Sequence, residues 1–238
     1  NLASNEISGF EALIRWNHPL RGMVSPAAFI PLAEEIGFIL PMGEWVIRQA
    51  CATAAQWPAH LHVAVNISAI QFRSPGLLQV IVGALAASGL APTRLEIEIT
   101  ESVLLHNKEA TLAVLHQLRA LGIRIAMDDF GTGYSSLAYL QSFPFDKIKI
   151  DRSFVKNVTD NPSSLNIVRA VAALANGMGM TATAEGVETA EQLERITSEG
   201  CTEMQGYLFS RPLPAAEIEQ KFLGGRGPRD VSGRIVAA

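Results

Sequence analysis

Seven short β-rich runs alternate with helical patterns along this chain, and that alternation restricts its fold before anything else does. The runs are Ile7 to Leu13, Leu61 to Asn66, Arg94 to Thr100, Ile123 to Asp128, Asp146 to Ile150, Thr181 to Ala184 and Thr202 to Met204. Helix starts are legible between them: Ser25-Pro26 precedes one apolar-periodic run, and Thr189 precedes Ala190-Glu191-Gln192, a cap with early acidic residues. Helix stops are equally plain, with Gly89, Gly122, Gly177 and Gly200 falling just past such runs, where a left-handed residue satisfies the last carbonyls. A repeating βα unit of this kind predicts a parallel sheet, either closed into a (β/α)8 barrel or opened into a doubly wound sheet. No glycine-rich phosphate fingerprint follows the first strand, which favours the barrel. A barrel needs eight strands, so the missing strand is expected upstream of Asn1.

A length of 238 residues suits one barrel, and 48% hydrophobic with 18% charged residues supplies a large core. The barrel domain is expected over residues 1–223. The stretch Gly224 to Ala238, glycine- and arginine-containing and without periodicity, reads as a flexible tail. The formal charge of −4 argues against a grip on long nucleic acid. Cys51 and Cys201 stand in no metal-ligand or CxxC spacing and read as reduced thiols of a cytoplasmic domain. The uncharged stretch from Ser74 to Thr93 is interrupted by prolines and glycines, unlike a membrane span. The first residue, Asn1, marks the chain as a fragment, which leaves open a membrane-anchored full-length protein.

The chemistry is expected at the C-terminal ends of the strands, the catalytic rim of a barrel. Glu11, Asn66, Glu98, Asp128, Asp129, Lys149 and Glu185 all fall there. Taken singly, each strand-end carboxylate has a plainer role as a helix cap or an ion-pair partner. Taken together, converging carboxylates repel unless a cation neutralises them, and oxygen-only ligands favour Mg²⁺ or Mn²⁺. In Arg94-Leu95-Glu96-Ile97-Glu98-Ile99-Thr100 the period-two alternation puts Glu96, Glu98 and Thr100 on one face, expected to point inward. Lys147 and Lys149 alternate in the same way, so inward acids have inward cations to pair with as well as a metal. After Asp128-Asp129 comes a glycine-punctuated loop, Phe130-Gly131-Thr132-Gly133-Tyr134-Ser135-Ser136-Leu137, able to move over a ligand.

These residues resemble the EAL domain family. Glu11-Ala12-Leu13 with Ile14-Arg15-Trp16 is its signature, followed in order by Asn66-Ile67-Ser68, Glu98-Ile99-Thr100-Glu101-Ser102, the segment Asp128 to Leu137, Lys147 to Asp151, Ala184-Glu185-Gly186-Val187-Glu188 and Gln205-Gly206-Tyr207. The resemblance implies a TIM-like barrel with one strand reversed, and metal-dependent opening of cyclic di-GMP, a bacterial second messenger, to linear pGpG. It implies that Glu11, Asn66, Glu98 and Asp128 hold a first cation, and that Asp128, Asp129 and Glu185 hold a second. Lys149 would orient or deprotonate the attacking water, with Glu11 and Glu185 counted beside it as catalytic. Arg15 would contact the ligand phosphate, its alternative being a salt bridge to an acid, and Leu13, Glu188 and Gln205 would line the ligand site. Glu101 would steady the loop after Asp129. The ions would be two Mg²⁺ or Mn²⁺, with Ca²⁺ inhibitory. A homodimer and an upstream sensor or GGDEF domain are further implications, as is the family's first helix and strand, absent before Asn1. The competing readings are a non-catalytic cyclic di-GMP receptor and a partner-binding module regulated through the loop after Asp129.

Overall fold

The computed structural model describes residues 1–105, 108–132, 140 and 142–224. The chain forms two compact units: Gly9–Arg124, and Asn1–Ser8 together with the chain from Ile125 onward.

In the Gly9–Arg124 unit, β1 (Gly9–Ala12), β4 (His62–Asn66) and β5 (Leu95–Thr100) pair side by side, all parallel, with Glu11 opposite Ala64 and Asn66 opposite Glu98. Between β1 and β4 lie a hairpin of β2 (Trp16–His18) and β3 (Gly22–Val24), then α1 (Pro26–Glu35) and α2 (Ile39–Ala54). After β4 come α3 (Ala69–Phe72) and α4 (Leu77–Ser88), and after β5 comes α5 (Lys108–Ala120). Strand β5 is buried on both faces: Leu95, Ile97 and Ile99 on one, Glu96 and Glu98 on the other. Such double burial is what a parallel strand covered by helices requires. Arg94, just before β5, binds three carbonyls: its Nε donates to Leu61 O at 2.7 Å, and its Nη2 to Ala54 O at 2.6 Å and Trp57 O at 3.3 Å. It thereby ties the end of α2 and the following turn to the start of β4, satisfying carbonyls that the helix end leaves open.

The second unit repeats the same plan. β6 (Arg124–Phe130, of which Arg124 belongs to the first unit), β7 (Lys147–Ile150), β8 (Thr181–Glu185) and β9 (Glu203–Gln205) run parallel in that order. α6 (Arg152–Lys156) and α7 (Pro162–Gly177) join β7 to β8, α8 (Ala190–Ser198) joins β8 to β9, and α9 (Ala215–Ile218) follows. The expected cap at Thr189 forms, as a reciprocal box in which Thr189 accepts from Gln192 N while the Gln192 side chain accepts from the backbone of Thr189.

The expected fold class, an α/β architecture of parallel βα repeats, is the one observed. All seven expected strands occur. Every strand pairing described among β1 and β4 to β9 is parallel, and the antiparallel pairing described is that of the β2–β3 hairpin. That hairpin is not among the expected elements, because its three-residue strands are too short for a period to register; Pro19 in the turn and the left-handed Gly22 that opens β3 are local signals of it. Gly89, Gly122 and Gly200 take left-handed conformations, but α7 runs through Gly177 and the left-handed residue there is Gly179. Among the described residues no helix is long and apolar enough to cross a membrane. From residue 225 the expected tail, and Gly133 to Leu137 of the loop after Asp129, lie outside the described residues.

Candidate metal and phosphodiester site

In the Gly9–Arg124 unit, strand ends deliver the polar residues by simple alternation. Phe10 and Glu11 are neighbours in β1 and so face opposite sides: Phe10 packs edge-on against Trp57 with ring centroids 5.1 Å apart, leaving Glu11 on the other face. There the Asn66 amide donates to Glu11 Oε1 at 2.6 Å. Asn66 is the last residue of β4, and the chain beyond it is fixed twice. Ile67 N donates to Glu98 O at 2.9 Å, and Ser68 caps α3 in a reciprocal box with Gln71. Glu98 is only 2% exposed and Glu96 only 1%, the latter with Arg124 Nε 3.5 Å from its Oε2.

Leu13 and Arg15 follow β1 and are exposed, the Arg15 Nη1 donating to Ile14 O at 2.9 Å. Among the described residues no carboxylate pairs with Arg15, so the salt-bridge alternative finds no support and the guanidinium fork faces solvent. Trp16, next in the chain, packs edge-on to Phe29 of α1 at 5.7 Å and so anchors the segment that carries Arg15. Glu101 heads a 3-10 turn, Glu101–Leu105, that continues from β5.

In the second unit the strand-end acids converge on a lysine. Lys149 is 2% exposed, and its Nζ lies 2.7 Å from Glu185 Oε1 and 3.2 Å from Asp128 Oδ1. One layer along the same strand face, Lys147 Nζ lies 3.0 Å from Glu203 Oε2, which also accepts from Thr183 Oγ1 at 3.3 Å. Asp128, Asp129 and Glu185 each place a carboxylate oxygen within 4.8 Å of the others. Consecutive residues of a regular strand point to opposite faces, so Asp128 and Asp129 cannot both reach this spot by alternation. The register explains how they do: Met127 pairs with Ile148 but Phe130 with Ile150, so β6 carries one residue more than β7 across that interval. Asp129 absorbs the bulge with a left-handed φ of 52°. Its N–H donates to Asp128 Oδ1 at 3.0 Å, and its carbonyl accepts from Thr132 Oγ1 at 2.8 Å.

Partial burial, then the Asp128 charge, then that of Asp151, push the Asp129 carboxyl above the usual carboxylate range, with Lys149 pulling the other way. Three clustered carboxylates against one ammonium leave an excess of negative charge, which a divalent cation relieves. The donor set of hard oxygens fits Mg²⁺ or Mn²⁺. Asp151 enters the sequence reading only as part of a motif. Its charge is among those that raise the Asp129 carboxyl, and its side chain caps α6 by accepting from Ser153 N at 3.0 Å. The signal for it is its place directly after β7, two residues beyond Lys149.

Gln205 ends β9 opposite Glu185, its carbonyl accepting from Val187 N at 3.1 Å. Gly206 follows because a Cβ there would lie 2.1 Å from Val187 O. Glu188 is exposed, and its N–H donates to Gln192 Oε1 at 2.7 Å.

Residues 1–212 match the model of the EAL domain. Among curated relatives, MucR of Pseudomonas aeruginosa, a bifunctional diguanylate cyclase/cyclic di-GMP phosphodiesterase, is 43% identical over 214 residues, covering 88% of this chain and 31% of that protein. The solved PaMucR phosphodiesterase in complex with c-di-GMP is similar at a TM-score of 0.85 and 43% identity, over 87% of this chain and 86% of that one. Klebsiella pneumoniae BlrP1, solved as a manganese/cy-diGMP complex, is similar at a TM-score of 0.77 and 34% identity, over 88% of this chain and 53% of that one. The chain spans about a quarter to a third of the length of the curated relatives it matches.

Proposed function

The chain belongs to the EAL domain family, and from that premise we propose that it hydrolyses one phosphodiester of cyclic di-GMP to give linear pGpG, using two divalent cations, Mg²⁺ or Mn²⁺. The observation that carries this reading is the convergence of Asp128, Asp129 and Glu185 around the buried Lys149. A carboxylate cluster assembled by a strained bulge is costly as scaffold and useful as a cation site. The cyclic di-GMP complexes of similar enzymes, one of them with manganese, support the substrate and the ions.

In this proposal Asp128, Asp129 and Glu185 serve as metal ligands in one unit, and Glu11, Asn66 and Glu98 serve as metal ligands in the other. When bound, the ions activate water and neutralise charge gathering on the phosphate. Lys149, fixed by Asp128 and Glu185, either orients the attacking water as an ammonium or, after losing its own proton, takes the water's proton as a neutral amine. Arg15, exposed just after β1, grips a phosphate in two-point fashion. Leu13, Glu188 and Gln205 line the nucleotide, and Glu101 steadies the loop after Asp129. A second copy of the chain, an upstream sensor or cyclase domain and a cytoplasmic setting belong to the same proposal, the bifunctional name of MucR supporting a cyclase partner.

The test is product chromatography. With Mg²⁺ or Mn²⁺ the protein is expected to convert cyclic di-GMP to pGpG, with Ca²⁺ to stall because its longer, looser coordination misplaces the water, and as Glu11→Ala to give no product. Tight nucleotide binding without pGpG under saturating Mn²⁺ would replace hydrolysis by the receptor reading.

A further inference from the structure

Each of the two cation-ligand turns of the second unit is followed by a left-handed glycine, and both glycines press on the same short helix. Gly131, two residues after Asp129, has φ 97°, and a Cβ there would stand 3.0 Å from Phe154 Cε2 and 3.4 Å from Phe154 Cζ. Gly186, directly after Glu185, has φ 68°, and a Cβ there would stand 2.6 Å from Arg152 Cβ. Phe154 and Arg152 are both residues of α6. That helix is itself pinned at both ends: Asp151 caps its start, and Gln192 Nε2 donates to Lys156 O at 3.2 Å at its close.

We infer that α6 is a backstop that sets the spacing between Asp129 and Glu185, and that Phe154 is the positioning residue through which it holds the β6 bulge. The inference rests on the proposed metal site. The physical reason is that a left-handed aspartate in a one-residue bulge relaxes unless the surrounding structure over-determines it. Here two contacts do so. Thr132 closes it by hydrogen bonds to the Asp129 carbonyl, from Oγ1 at 2.8 Å and from N at 3.3 Å. The Phe154 ring occupies the space into which Gly131 would otherwise swing. Removal of the ring frees the turn and lets the Asp129 carboxylate drift from those of Asp128 and Glu185, without removing any ligand. The supports behind metal ligands typically contribute a 10- to 100-fold effect on affinity.

The test is Mn²⁺ titration of the full chain by calorimetry, with Mn²⁺ as the sole added ligand. Phe154→Ala is expected to weaken one Mn²⁺ site by about tenfold or more, and Phe154→Leu, which keeps apolar bulk, to recover most of the loss. Asn161→Ala removes the cap of α7, whose side chain accepts from Ser163 N. It is expected to lower the metal-free melting temperature while leaving Mn²⁺ affinity unchanged, which separates positioning from general destabilisation. Should Phe154→Ala fail to fold, a smaller but measurable loss of Mn²⁺ affinity in Phe154→Leu supports the inference in its place. Mn²⁺ affinity of Phe154→Ala within twofold of wild type, or of Phe154→Leu equal to wild type where the alanine variant does not fold, would overturn the inference while leaving the metal site standing. No Mn²⁺ uptake by the wild type would instead overturn the metal site itself.

Discussion

The two units place acids at their strand ends by different means. In the Gly9–Arg124 unit, Glu11, Asn66 and Glu98 sit on regular parallel strands, and a neutral amide lies against Glu11. In the second unit, Asp128, Asp129 and Glu185 need a bulge, a left-handed aspartate and a buried lysine. The difference teaches that one carboxylate per strand end comes free with the pleat, whereas two consecutive carboxylates on one side require a local violation of it. The second arrangement is therefore the one with more to lose from a single change.

Lys149→Met is expected to produce the largest effect. It leaves Asp128 and Glu185 without their ammonium, at a cost of about 3–5 kcal/mol in metal-free protein, readable by urea unfolding, and turnover is lost. The matching change in the other unit, Asn66→Ala, removes one hydrogen bond to a solvent-accessible carboxylate, for about 1 kcal/mol. Equal costs would erase the contrast between the two units.

Arg94→Ala sharpens it from the other direction. The regular strand ends of the first unit rest on a scaffold that this guanidinium ties together through three carbonyls, so its loss is expected to destabilise by about 3 kcal/mol. The residual folded protein is expected to keep its Mn²⁺ affinity at Asp128, Asp129 and Glu185. A fall in that affinity would show that the two regions are not independently built.

Asp129→Gly carries the smallest effect, with the opposite sign. Glycine tolerates the left-handed conformation, so the variant is expected to gain up to about 1 kcal/mol in metal-free stability while its Mn²⁺ affinity falls. A variant both less stable and unchanged in Mn²⁺ binding would mean that the bulge is scaffold and the aspartate incidental.

Much of this is legible in the sequence where the governing interaction is local. The strands Leu95–Thr100 and Lys147–Ile150 follow from period-two alternation, and the start of α8 follows from Thr189 and Gln192, three residues apart. The β2–β3 hairpin escapes because three-residue strands carry too few positions to show a period. Asp151 escapes as a participant because a carboxylate before a helix has a sufficient explanation as a cap, and its charge acts on Asp129, a residue distant in sequence.

The sequence by itself determined which residues stand at which strand ends, and that acids recur there in an order resembling one family. Tertiary structure alone decided where Asp129 points and which acids Lys149 and Lys147 answer. The reason is geometric: side-chain alternation is set by each residue's own backbone, whereas an ion pair or a bulge depends on the register between strands far apart in sequence. Packing fixes that register, and with it the few ångströms over which three carboxylates become one site.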